Sequence, residues 1–183
     1  MAVIKSPNGN AQLIDNEGRA YSFSITQREA KHLNTEGFSF SVYFQATTAA
    51  PNDYFFYFKN NGLSDIYIDT FELSGTAASK IYIESVTGTA AFVAAGDAQV
   101  TSRKIGNAGS LSVDAKYDSD ITGLISTGVM VFYDLSVADT TYTLDIQSDI
   151  IIPQGQAIAM RSSIASTIEC VLSVESADDA VFS

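Results

Sequence analysis

Lys80-Ile81-Tyr82-Ile83-Glu84-Ser85-Val86 alternates bulky and polar side chains with a period of two, the spacing that sends successive residues to opposite faces of a strand. The same alternation recurs in Phe38-Ser39-Phe40-Ser41-Val42-Tyr43-Phe44, in Asp65-Ile66-Tyr67-Ile68-Asp69 and in Thr167-Ile168-Glu169-Cys170-Val171-Leu172-Ser173-Val174-Glu175. On this reading Ile81 and Val171 belong to the core and Glu84 to the solvent face, so Glu84→Ala is expected to be nearly silent. Residues 54–59, 99–105, 110–116, 129–135, 142–152 and 156–161 bring the strand candidates to about eight to ten. Asn60-Asn61-Gly62, Ser74-Gly75, Thr87-Gly88, Ala95-Gly96-Asp97, Gly106-Asn107-Ala108-Gly109 and Pro153-Gln154-Gly155 separate them as turns. Short strands at this spacing, with no helical pattern between them, predict an all-β fold: an antiparallel β-sandwich, expected to be a jelly roll.

Outside the strand-rich body the pattern changes. Residues 1–36 read as an N-terminal extended arm, with one short strand at 11–15 and one short helix. Thr26-Gln27-Arg28-Glu29 has the spacing in which a hydroxyl and a carboxylate each satisfy a free backbone N–H at a helix start, and Asn34 with Gly37 supplies the stop. Residues 37–175 form the sandwich body and residues 176–183 a short acidic tail. Charge divides along similar lines. The formal net charge is −11, yet residues 1–50 hold four basic and four acidic groups, so residues 51–183 carry all of it.

That balance argues against nucleic acid or an anionic membrane as partner, because phosphate binding needs a local surplus of Lys and Arg. With 46% hydrophobic residues the chain can build a sizeable core. No run of about 18 apolar residues marks a membrane helix, residues 1–15 lack the apolar stretch of a signal peptide, and no N-x-[ST] sequon occurs. Synthesis and folding in a cytoplasm is the expectation.

Chemistry-bearing residues are few: one His, one Cys and no Trp. His32 falls in the expected helix beside Lys31, without the nucleophile and orienting carboxylate that acid–base or triad chemistry needs. Cys170, in a strand pattern, reads as a buried, inert thiol, and one Cys with one His cannot make a structural zinc site. Asp118-Ser119-Asp120, Asp178-Asp179, and Asp134 with Asp139, Asp145 and Asp149 could offer oxygens to Ca²⁺, but none has a calcium-loop spacing; solvated carboxylates on sheet faces are the plainer account. No catalytic, cofactor-binding or metal-binding residue is assigned, and no cofactor is expected. In the unbroken aromatic run Tyr54-Phe55-Phe56-Tyr57-Phe58, one alternating set faces the core; the other must be covered by the arm, a neighbouring subunit or a ligand such as a sugar ring, with arm or subunit preferred.

Two stretches together resemble tailed-bacteriophage virion proteins with a jelly-roll body. Residues 56–68, with Lys59-Asn60-Asn61-Gly62 between two aliphatic strands, are similar to a hairpin of such proteins. Ile150-Ile151-Ile152-Pro153-Gln154-Gly155-Gln156-Ala157-Ile158-Ala159-Met160-Arg161 is similar to their late turn before the closing strand, and Ile14-Asp15-Asn16-Glu17-Gly18-Arg19-Ala20 to their N-terminal portion. The resemblance implies a non-enzymatic virion structural protein, a capsid decoration or minor capsid subunit docking on the major capsid protein or another virion protein through its arm. It also implies a homo-oligomer, by analogy a trimer. The alternatives are a receptor- or carbohydrate-binding fibre domain, and a hydrolase using an unidentified carboxylate pair.

Overall fold

The computed structural model describes residues 2–5, 11–14, 20–23, 38–103 and 110–176, the first three segments as backbone and residues 147–148 without side chains. The chain divides into two compact units, Met1–His32 and Leu33–Ser183.

In the first unit, β1 (Ala2–Lys5), β2 (Ala11–Ile14) and β3 (Ala20–Phe23) pair antiparallel in the order β1-β2-β3. This corrects the single short strand expected at 11–15. Four-residue strands are too short to display a period of two; cross-strand pairing, invisible in a linear pattern, defines them. The helix expected from Thr26 lies outside the described residues.

The second unit holds β4 (Ser39–Thr47), β5 (Tyr54–Asn60), β6 (Ile66–Gly75), β7 (Ser79–Phe92), β8 (Gly96–Asp97), β9 (Gln99–Ser102), β10 (Val113–Leu135), β11 (Tyr142–Ile152), β12 (Ala157–Ser162) and β13 (Thr167–Ser176). Two antiparallel five-stranded sheets result, β11-β6-β13-β4-β9 and β5-β12-β7-β10-β8. Setting aside the short β8 and β9, the strands pair first with last and inward: β4 with β13, β5 with β12, β6 with β11, β7 with β10. A long hairpin rolled across two sheets in this way is a jelly roll, as the spacing of strands and turns predicts.

On strands such as β4 and β7 alternate side chains point inward, and these sets form much of the core. Phe40, Val42 and Phe44 on β4 are buried, as are Ile81 and Ile83 on β7. The rings of Phe44 and Phe56 stack across the sandwich at 4.0 Å between centroids. Each fully buried aromatic or aliphatic side chain contributes about 1.5–3 kcal/mol.

On β13 the core set is Ile168, Cys170, Leu172 and Val174, whereas Val171 is only half-buried on the opposite face. The core assignment of Val171 was one residue off. Cys170-Val171-Leu172 is apolar on both parities, so the stretch alone leaves the register open; the pairing of Cys170 with Phe44 decides it.

The second sheet does something the first does not. Over Val113 to Ile121, β10 pairs with β5; from Ile121 to Leu135 it pairs with β7, while β12 lies between β5 and β7. A single 23-residue strand thus joins both sides of the β5-β12-β7 ribbon, and the sheet closes on itself. Inside the curl sits a second apolar cluster of Tyr57, Val86, Ile121, Ala157 and Ala159. β12 contributes alanines there, which suits a narrow interior.

The second alternating set of the aromatic run, expected to be covered by the arm, a neighbouring subunit or a ligand, is covered within the body itself, with Tyr57 buried in this curl. Phe56 and Tyr54 oppose the adjacent Met160 and Arg161, so Phe55 is an extra residue in β5. That bulge lets Phe55, Phe56 and Phe58 all enter the main core while Tyr57 packs in the curl with Tyr54 beside it. Glycine is required where the β7 and β10 backbones meet: a Cβ on Gly123 (φ 76°) would sit on the Thr89 carbonyl oxygen, and one on Gly88 (φ 99°) on the Gly123 carbonyl oxygen.

Candidate functional site

Closing the second sheet buries polar groups that a flat sheet would leave wet. Glu84 shares its strand face with Tyr82 and Val86, and it is only 2% exposed. A carboxylate removed from water must be paired. Arg161 Nε donates to its Oε1 at 2.8 Å, and the Tyr54 hydroxyl donates to its Oε2 at 2.5 Å. Arg161 Nη1 also donates to Asn52 Oδ1 at 2.9 Å, and the guanidinium lies 4.0 Å over the Tyr82 ring. Asn52 holds a left-handed backbone conformation (φ 69°), which asparagine tolerates better than most residues.

The electrostatics of this centre follow from burial and contact. Burial, then the hydrogen bond and charge of Glu84, push the Tyr54 hydroxyl up to about 12. Burial also works to raise the Glu84 carboxyl, but the hydrogen bonds from Tyr54, Arg161 and Ser126 and the guanidinium charge together outweigh it and hold the group below its ordinary value. Glu84 is therefore a fixed anion with both oxygens engaged. A cleft of about 430 Å³ opens at the end of the sandwich beside Asn60-Asn61-Gly62-Leu63-Ser64, and two smaller ones measure about 240 and 180 Å³. Glu84, Arg161 and Tyr54 line none of the three. In the largest, the Asn60 amide is already spent within the fold, donating to Ser64 O and Ile152 O and accepting from Gly62 N.

Glu84 was expected to face solvent, and its burial is a correction. The signal was present: Tyr82 and Val86 share the parity of Glu84, so the presumed wet face carries a tyrosine and a valine. Likewise Ala157 and Ala159 share the parity of Arg161.

Asp118 is likewise buried, at 5% exposure. Its Oδ2 accepts from the backbone N–H of Val93 (2.6 Å) and Ala94 (2.8 Å), and its Oδ1 from that of Ser119 (2.6 Å). Burial pushes this carboxyl up, but the hydrogen bonds from Ala94, Ser119 and Val93 prevail and hold it below its ordinary value. It fastens the turn after β7 to β10. Asp120 is shifted upward, by burial first and then by the charges of Asp53 and Asp118. No three His, Cys, Asp or Glu residues converge to hold a metal ion among the described residues, so Asp134, Asp139, Asp145 and Asp149 do not gather into a site there. Asp178, Asp179 and His32 lie outside those residues. Cys170 is fully buried, and burial pushes its thiol well above the ordinary range.

No family model, curated protein or solved structure matches the chain.

The surface has one further feature. Ser85–Phe92 of β7 and Ile121–Gly128 of β10, which pair with each other, contain no charged residue. Ile125 is 65% exposed, and Val129, Phe132 and Met130 are exposed beside it on β10. Among the described residues, β10 beyond Ile121 pairs on its β7 side alone. Thr87, Thr89, Thr122, Ser126 and Thr127 are exposed among these apolar side chains, and the Lys80 ammonium lies 5.6 Å over the Phe132 ring.

Proposed function

We propose that the protein is a non-enzymatic structural subunit of a bacteriophage particle, a capsid decoration or minor capsid protein, that docks on a protein lattice through its N-terminal segment. One observation carries the reading: charge divides where the chain divides. Met1–His32 holds four basic and three acidic residues, and Leu33–Ser183 holds six basic and eighteen acidic. A near-neutral unit can approach a protein surface without like-charge repulsion, and an acidic body turned outward repels its neighbours and host polyanions. The jelly-roll winding agrees with the fold of the proteins that residues 56–68 and 150–161 resemble. The buried carboxylate of Glu84, paired with Arg161, lines none of the three clefts and is saturated by its own neighbours, which suits a scaffold.

Co-sedimentation with particles stripped of the protein tests the proposal. The full chain is expected to bind, and a variant lacking residues 1–19 to lose binding while keeping a β-type circular dichroism spectrum and a cooperative melt. Undiminished binding by the truncated chain would move the docking surface to the body. Binding of a host glycan instead of the particle would favour a receptor-binding domain.

A further inference from the structure

We propose that Asn61 is a self-modification site, at which the amide side chain converts to a carboxylate through cyclisation with Gly62, and that the buried Asn60 amide holds this reaction in check. Asn61-Gly62 lies between β5 and β6, in the wall of the largest cleft. Asn61 is exposed to water, whereas Asn60 is fully buried. Asparagine before glycine is the pairing that cyclises most readily, because glycine puts no Cβ in the path of the attacking nitrogen and lets the backbone turn freely. The chain has two such pairs, Asn8-Gly9 and Asn61-Gly62.

The reaction draws on water alone. Base removes the Gly62 amide proton, the nitrogen attacks Asn61 Cγ, and the Cγ–Nδ2 bond breaks with release of ammonia. Water then opens the cyclic imide at either carbonyl, its hydroxyl going to carbon and its proton to nitrogen. The product at position 61 is an aspartyl or isoaspartyl residue, so a negative charge appears at the rim of the cleft.

The Gly62 nitrogen is the nucleophile, and the fold occupies it. Its N–H donates to Asn60 Oδ1 at 2.9 Å. That oxygen is itself fixed: Asn60 Nδ2 donates to Ser64 O and to Ile152 O, both at 2.9 Å, and the Asn60 carbonyl accepts from Gly155 N at 2.8 Å. The nitrogen one residue earlier is held as well, since Asn61 N donates to Ser112 O at 2.9 Å. Removing the Gly62 proton sets an anionic nitrogen against the Asn60 oxygen, and swinging that nitrogen toward Cγ leaves a buried acceptor without its donor. Cyclisation therefore waits on local opening of the turn over residues 60–64. This chemistry is independent of lattice docking, and either can fail alone.

Peptide mapping by mass spectrometry, after incubation of the full chain in mildly alkaline buffer, reads the conversion at each asparagine. In concentrated guanidinium Asn8 and Asn61 should convert at similar rates, since both precede glycine. In the folded chain Asn61 should convert about tenfold or more slowly than in the unfolded one, because only the locally opened fraction reacts. Asn60→Ala should raise the folded-state rate at Asn61 by about fivefold or more, the population factor that a single hydrogen bond supplies, while the thermal melt stays cooperative. If that variant does not fold, hydrogen exchange at the Gly62 amide of the unaltered chain is the second test, and exchange should be slowed relative to the unfolded chain. Asn61 converting equally fast folded and unfolded, no conversion of Asn61 even in guanidinium, an unchanged rate in folded Asn60→Ala, or an unprotected Gly62 amide would each overturn the inference.

Discussion

The two sheets of the jelly roll are built from the same alternating pattern and end with different outer faces. On the first sheet, β4 and β13 keep Gln45, Thr47 and Glu169 exposed, as an antiparallel sheet with one wet face should. On the second, the corresponding face of β7 and β12 is closed over by β10, so Val86, Ala159 and Glu84 are buried. The same alternation thus leaves the Glu169 carboxylate exposed and the Glu84 carboxylate buried and paired. Whether a strand residue is exposed depends on the path of a strand far away in sequence.

The largest expected effect strikes what both sheets share. Ile81→Asp places an unpaired carboxylate in the common core and should abolish cooperative unfolding in a thermal melt, since such burial costs several kcal/mol. Val171→Asp, on the half-buried outer face of the first sheet, should leave a folded protein. Equal damage by the two would mean that β13 is read in the wrong register.

Glu84→Ala should come next. It strands Arg161 beside the closed sheet, and because Arg161 is partly exposed the loss should be about 2–4 kcal/mol, below the full range for a wholly buried pair. The matched change on the first sheet, Glu169→Ala, should stay within about 0.5 kcal/mol by denaturant titration. Similar values for the two would break the contrast between the sheets.

Gly123→Ala tests the closure itself. It forces a side chain into the left-handed region and onto the Thr89 carbonyl oxygen, at roughly 1–3 kcal/mol. Gly155, also in the left-handed region (φ 77°) but with open space around it, should suffer less from the same change.

Acid should loosen the second sheet by a smaller, graded amount. Glu84 and Asp118 both have folded-state values below their ordinary ones of 4.5 and 3.8. Each therefore contributes stability that is present above those values and is lost as pH falls through the lower folded-state value. Asp120 is shifted upward and works in the opposite direction. Melting temperature should fall from about pH 4.5 downward, and Glu84→Gln should flatten part of that fall. An unchanged acid profile in Glu84→Gln would detach the carboxylate from the stability of the curl.

Much of this molecule is decided within single strands. The alternation over 38–44, 65–69 and 80–86, together with the intervening turn signals, is enough to specify an antiparallel sandwich, because a period of two leaves one apolar face per strand that another sheet must cover. The scarcity of His and Cys is equally local, as is the division between a near-neutral start and an acidic remainder. Tertiary structure decided the rest. Only pairing shows that β1, β2 and β3 exist, that Leu172 and not Val171 is core, and that Phe55 is the extra residue of a bulge. Only the length and course of β10 turn the outer face of β7 into an interior, converting Glu84 from a solubilising charge into the partner of Arg161. A strand's own sequence sets which side chains share a face; what covers that face is set by chain that arrives from elsewhere.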